Sequence, residues 1–114
     1  MTADEFRRIA LGLPGSLEGA HQQHPDFRVH SKIFATLGYP DAGWAMVKLT
    51  PKQQARFVET HAECFQPVQG AWGRRGATAV SLFALTEALA RRSLALAHRN
   101  VTADRKSTRL NSSH

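Results

Sequence analysis

A chain of 114 residues, 42% hydrophobic and 21% charged, has room for one hydrophobic core, and its five prolines and eight glycines are too few for a collagen-like or disordered chain. No apolar run approaches the roughly 18 residues of a membrane span, and residues 1–13 lack the apolar centre of a signal peptide, so a soluble, cytoplasmic protein is expected. The single cysteine, Cys64, excludes an internal disulfide and a cysteine-based zinc site, which fits a reducing compartment.

Thr2-Ala-Asp-Glu5 has the spacing of a capping box, in which Thr2 accepts from the backbone three residues on and Glu5 reaches back. A helix is predicted there, with Phe6, Ile9, Ala10 and Leu13 as its apolar stripe and Pro14-Gly15 as its stop. The β-branched and aromatic stretch Phe27 to Leu37 reads as two strands around a tight turn near His30-Ser31. A two-residue turn pairs Val29 with Lys32 and a three-residue turn pairs it with Ile33, and the sequence leaves both registers open. After the loop Gly38 to Gly43, Trp44 to Leu49 is the next strand, giving three strands in a meander. Thr50-Pro51-Lys-Gln53 is a second capping box, opening a helix to about Thr60 that buries Ala55 and Val58 with Phe57 or Gln54 at its margin.

Phe65 to Val68 reads as a short extended piece, Gly70 to Gly76 as a glycine-punctuated loop or turn, and Ala77 to Phe83 as a final strand. Thr86 caps a last helix whose apolar stripe is Leu89, Ala90, Ser93, Leu94, Ala97 and Val101, with His98-Arg99-Asn100 near its C-terminal end. The order is helix, three strands, helix, one or two strands, helix. It predicts a two-layer α+β domain over residues 2–102, an antiparallel sheet with helices on one face, and not a doubly wound parallel sheet. Residues 104–114, DRKSTRLNSSH, are what one reading frame of a common sequencing adapter encodes, so they are expected to be an adapter-derived, disordered end. Without that stretch 12 basic and 8 acidic residues remain, a net of +4.

His24-Pro25-Asp26-Phe27-Arg28-Val29 followed by Lys32-Ile33-Phe34-Ala35 resembles the signature of the MmcQ/YjbR family of small bacterial proteins. The opening helix with Phe6-Arg-Arg-Ile-Ala10, its Leu13-Pro14-Gly15 stop, the Trp44 to Leu49 strand and the Thr50-Pro51 helix extend the likeness over about residues 2–102. The resemblance implies a compact α+β domain of the frataxin-type, CyaY-like fold, with strand-loop-strand units compared to a double-wing DNA-binding motif. It implies a DNA-binding protein and carries no fixed set of contact residues. Where other members have a polar Asn-Lys-aromatic stretch before the last strand, this chain has Trp72-Gly73-Arg74-Arg75-Gly76.

Arg74 and Arg75 are the first candidates for contacting an anion. Arginine forks a phosphate bidentately, the flanking Gly73 and Gly76 would let a backbone approach it, and Trp72 could stack on a base. No Gly-Lys-Ser/Thr follows, so the segment is not a phosphate loop. Arg28, Lys32 and Lys48 extend the patch if their strands present them on one face. Arginines 7, 8, 91 and 92 are expected to form wet helix faces. His21, His24, Asp26 and His30 have metal-ligand chemistry but no compact motif, and no nucleophile is placed beside His24, so neither a metal, another cofactor nor catalysis is expected. Cys64 is expected to be a small buried hydrophobe, and Phe27, Phe34, Trp44, Met46 and Phe57 to be core. The leading expectation is electrostatic, non-enzymatic binding of duplex DNA. The alternative is a protein partner or a small anionic ligand, which a pocket lined by His24, Arg28 and Trp72 would favour.

Overall fold

The computed structural model describes residues 1–112, with side chains through residue 103. Helix α1 (Ala3–Leu11) opens on the Thr2 capping box, the Glu5 N–H donating to Thr2 Oγ1 at 3.1 Å and the Thr2 N–H to Glu5 Oε1 at 2.8 Å. Four strands follow: β1 (Leu17–His21), β2 (His24–Val29), β3 (Lys32–Leu37) and β4 (Trp44–Lys48). Helix α2 (Pro51–Thr60) opens on the Thr50 box, closed reciprocally by Gln53. Then come β5 (Phe65–Pro67), the one-turn helix α3 (Ala71–Arg74), β6 (Ala77–Ser81) and the long helix α4 (Glu87–Ser112). The strands form one antiparallel sheet in the order β1-β2-β3-β4-β6-β5, the α+β arrangement predicted.

Both open registers at His30-Ser31 find a place. The turn has two residues, with His30 and Ser31 both left-handed at φ 54° and 65°, and it pairs Val29 with Lys32. A bulge then shifts the pairing, since Phe27 faces Ala35 while Arg28 faces Ile33, which leaves Phe34 as the extra residue. Beyond the bulge, Asp26 faces Thr36, the register a three-residue turn would have set. The strand β1 escaped the sequence reading because it is an edge strand around Gly19 with little β-branched character, and its turn to β2 uses Gln22 and Gln23 at positive φ where glycine or asparagine would have signalled it.

The core lies between one sheet face and the three longer helices. Phe6, Phe27, Phe34 and Leu94 are fully buried there, joined by Ala90, Ser93, Ala97 and Val101 from the expected stripe of α4. His98 Nε2 donates to the Pro14 carbonyl at 2.7 Å and its ring stands edge-on to Phe34 at 5.4 Å, tying the end of α1 to the sheet. Three expectations are corrected. On α2 the buried residue is Phe57, packed on Phe65 with ring centroids 4.7 Å apart, whereas Ala55 is exposed, because β5 lies under the Phe57 side of the helix. The last strand ends at Ser81, since a turn closed by the Ala84 N–H on the Ser81 carbonyl follows and leaves Phe83 97% exposed. Helix α4 does not end near Asn100, because no glycine or proline follows to stop it. Its backbone is helical through Ser112, over most of the stretch for which the sequence predicts an adapter-derived, disordered end. The side chains of that stretch, and residues 113 and 114 altogether, lie outside the described residues.

Cys64 is a core residue, 1% exposed, with its thiol 3.8 Å from the Ser81 carbonyl. Burial, reinforced by the charge of Glu63, pushes that thiol up to about 11 from an ordinary 9.0. At pH 8 the native thiol should therefore react with iodoacetamide about 100-fold more slowly than in the unfolded chain. Since the folded thiol releases its proton later than the unfolded one, its contribution to stability is complete below pH about 9 and is lost as pH rises towards 11. Equal alkylation rates for native and urea-unfolded protein would contradict this.

Candidate functional site

Alternation along the strands sends every second side chain away from the three long helices. On β2 these are His24, Asp26 and Arg28, and the register sets His24 beside His21 of β1, Asp26 beside Thr36 of β3, and Thr36 beside Met46 of β4. Lys48 lies two residues beyond Met46 and shares its face. This second face is covered only in part: Met46, Val68, Ala77 and Ala79 make a small apolar cluster, with Tyr39 and Trp44 packed against it.

Helix α3, a single turn within the glycine-punctuated stretch Gly70 to Gly76, brings Trp72 over this face. The indole meets Tyr39 edge-on with centroids 6.3 Å apart, and Tyr39 in turn meets His24 edge-on at 6.3 Å. Lys48 Nζ lies 5.9 Å from the Trp72 ring centroid. These groups surround an open cleft of about 430 Å³ whose floor is Ile33, Thr36 and Met46, with His21 and Gln22 also at its edge.

Two groups in the cleft lack the partner their chemistry calls for. The half-buried Lys48 has no carboxylate in salt-bridge contact among the described residues. Burial, then the nearby charge of Lys32, holds its ammonium below the ordinary lysine value. Thr36 is 8% exposed, and its Oγ1 is buried with no hydrogen-bond partner among the described residues.

The six residues expected to touch DNA divide accordingly. Trp72 and Lys48 meet at the cleft, with Lys32 exposed nearby at the start of β3 and close enough to perturb Lys48. Arg74 and Arg75 are exposed at the end of α3. Arg28 is not a cleft residue: its Nε and Nη2 donate to Asp26 Oδ1 and Oδ2 at 2.8 and 3.0 Å, and Asp26 is fully buried. Those hydrogen bonds, and the carboxylate charge behind them, raise the guanidinium pKa further, so the charge of Arg28 is matched within the sheet.

The glycines around the arginine pair serve the interior instead of a phosphate. A Cβ on Gly73 would fall 1.5 Å from the Val68 carbonyl oxygen, and one on Gly76 would fall 1.9 Å from that of Leu49. On the helices, Arg7 bridges Asp4 and Glu18 and Arg91 bridges Glu87, which suits solvated faces. Of the four possible metal ligands, His21 and His24 line the cleft, Asp26 holds Arg28, and His30 is exposed in its turn. Among the described residues no three His, Cys, Asp or Glu side chains are gathered to hold a metal.

Thr36, Tyr39 and Met46 escaped the sequence reading as site residues. The available signal was alternation: Thr36 and Met46 stand between the core residues Ala35 and Leu37, and Ala45 and Val47, and so had to face the other side.

The fold and this half-covered sheet define a small α+β domain with a cleft on the face opposite its core. The chain belongs to the YjbR family, whose model matches residues 11–100. Among solved structures, the Deinococcus radiodurans protein DR2400, with the domain called DUF419, is similar with a TM-score of 0.70 at 20% identity, over 89% of this chain and 78% of that one. At that identity the likeness shows the fold alone. None of the curated proteins matches. Among the described residues no helix is long and apolar enough to cross a membrane.

Proposed function

We propose that this domain is a non-enzymatic, cytoplasmic DNA-binding protein that holds the phosphate backbone through Lys32, Lys48, Arg74 and Arg75. The observation that supports this reading is a set of four cations that form no salt bridge among the described residues, one of which, Lys48, lies beside the exposed indole of Trp72. Cations without internal partners can release counterions from a polyanion, and an aromatic face beside them offers a stacking surface that tolerates any base. Arg28 is left out of the contact set because Asp26 already neutralises it.

Replacing Arg74 and Arg75 together by alanine should flatten the slope of log K against log salt by about 1–2, with similar weakening on unrelated DNA sequences. The measurement is fluorescence anisotropy with labelled duplexes over a salt series. Unchanged affinity and slope would remove the arginine pair from the interface. A loss confined to one sequence would show instead that an arginine reads a guanine edge. A second reading, binding of a small anionic ligand, draws support from the concave cleft lined by His24 and Trp72.

A further inference from the structure

Three features of the second sheet face converge on one ligand chemistry. The cleft of about 430 Å³ has the size of a small-molecule site, with an apolar floor and aromatic side chains at Tyr39 and Trp72. Trp72 remains 48% exposed although it is the largest side chain at the opening, so much of the indole is left for a flat partner. Lys48 supplies an ammonium at the Trp72 end with no carboxylate bridging it among the described residues. A cation taken partly out of water without a counter-charge favours an anion as occupant. Thr36 lies at the floor, and its buried hydroxyl, without a partner among the described residues, can both donate to and accept from a polar ring edge once rotation about χ1 turns it into the cleft. Flat apolar walls, one polar contact at the floor and one uncompensated cation are together what a planar heterocycle bearing an anionic group would occupy.

We propose that the cleft binds a single nucleotide unit, its base against Trp72 and Tyr39 and in hydrogen-bond reach of Thr36 Oγ1, its phosphate at Lys48 Nζ. The inference deepens the DNA-binding reading, because a base can enter the cleft only when it is unpaired. A free nucleotide and a base within a single strand share this chemistry. In a strand, Lys32 lies near enough to meet a neighbouring phosphate.

The test uses the full chain and titrates adenosine 5′-monophosphate, adenosine and inorganic phosphate by calorimetry, alongside single-stranded and duplex oligonucleotides of the same sequence. The monophosphate should bind at least 10-fold more tightly than either adenosine or phosphate, and single strands more tightly than duplex. Lys48→Met, which keeps the aliphatic stem, should weaken the monophosphate about 10-fold and leave adenosine unchanged. Thr36→Val, which keeps the shape and removes the hydroxyl, should weaken both. If Thr36→Val fails to fold, the contrast between Lys48→Met and wild type still decides, since Lys48 is only partly buried.

A monophosphate that binds no better than phosphate, or binds Lys48→Met as it binds wild type, would overturn the cleft assignment. Duplex binding with a salt slope and no nucleotide binding would overturn it while leaving the DNA-binding reading intact. Nucleotide binding with no affinity for either oligonucleotide would uphold the cleft as a free-nucleotide site and overturn the DNA-binding reading instead.

Discussion

Phe34→Ala is expected to lower the unfolding free energy by about 3–5 kcal/mol, the usual cost of deleting a fully buried ring. Phe34 is the bulged residue of β3, is not exposed at all, and lies among the core residues while its ring meets His98 edge-on at 5.4 Å. Two losses follow from removing it. The hole left between sheet and α4 is walled by elements that hydrogen bonds fix in place, including the bond from His98 to the Pro14 carbonyl, so it cannot close freely. The bulge also loses the side chain whose burial holds it, and the pairing beyond Arg28 would then compete with the unshifted register. Urea denaturation followed by circular dichroism measures the effect. A midpoint within error of wild type would place Phe34 outside the core and invalidate the β2–β3 register.

The second large effect is expected at Gly76, where alanine should cost about 3 kcal/mol or more. Its φ of 113° lies in the region that L side chains rarely adopt, and a Cβ there would fall 1.9 Å from the Leu49 carbonyl oxygen. Relief of that contact requires β6 and the end of β4 to part. This would stretch the 3.2 Å bond from the Leu49 N–H to the Gly76 carbonyl. That bond anchors the end of the segment that carries Trp72. Gly43→Ala is the natural control, because Gly43 is also left-handed at φ 84° but has open space where its Cβ would stand. Gly76→Ala should therefore be clearly the more destabilising of the two. Equal effects would mean that backbone conformation alone, and not the packing against Leu49, fixes glycine at this position.

These two positions also show where the sequence was informative and where it was not. Both capping boxes could be read directly because the interaction closes within four residues, and Phe34 could be assigned to the core because aromatics in a strand pattern mostly pack. The glycines beside Arg74 and Arg75 could be read only as permissive. Whether permission serves a phosphate or the interior depends on Val68 and Leu49, which reach them only once the chain has folded back. Arg28 illustrates the same limit. Residues two apart on one strand share a face, but the full burial of Asp26, which draws the guanidinium down onto it, is set by the strands on either side.

The cleft was the least legible feature. His24, Thr36, Met46 and Trp72 come from four separate elements, and the strand register together with the one-turn helix α3 brings them together. A four-residue helix containing a glycine has almost no periodic signal, so Trp72 could be identified as a candidate but not placed. Of His24, Arg28 and Trp72, the three residues whose shared pocket would favour the alternative ligand, the cleft is lined by His24 and Trp72, while Lys48 and not Arg28 is its cation.

The most direct test of DNA binding is the salt dependence of wild-type affinity, measured by anisotropy on the full chain and on a chain ending at Ala103, so that the charges of residues 104–114 cannot supply the signal. Four phosphate contacts predict a slope of log K against log salt near −3.6 on duplex and a dissociation constant of roughly 10⁻⁴–10⁻⁶ M at physiological salt, for both chains. Absence of binding by the shorter chain at low salt, where electrostatic association is strongest, would contradict it.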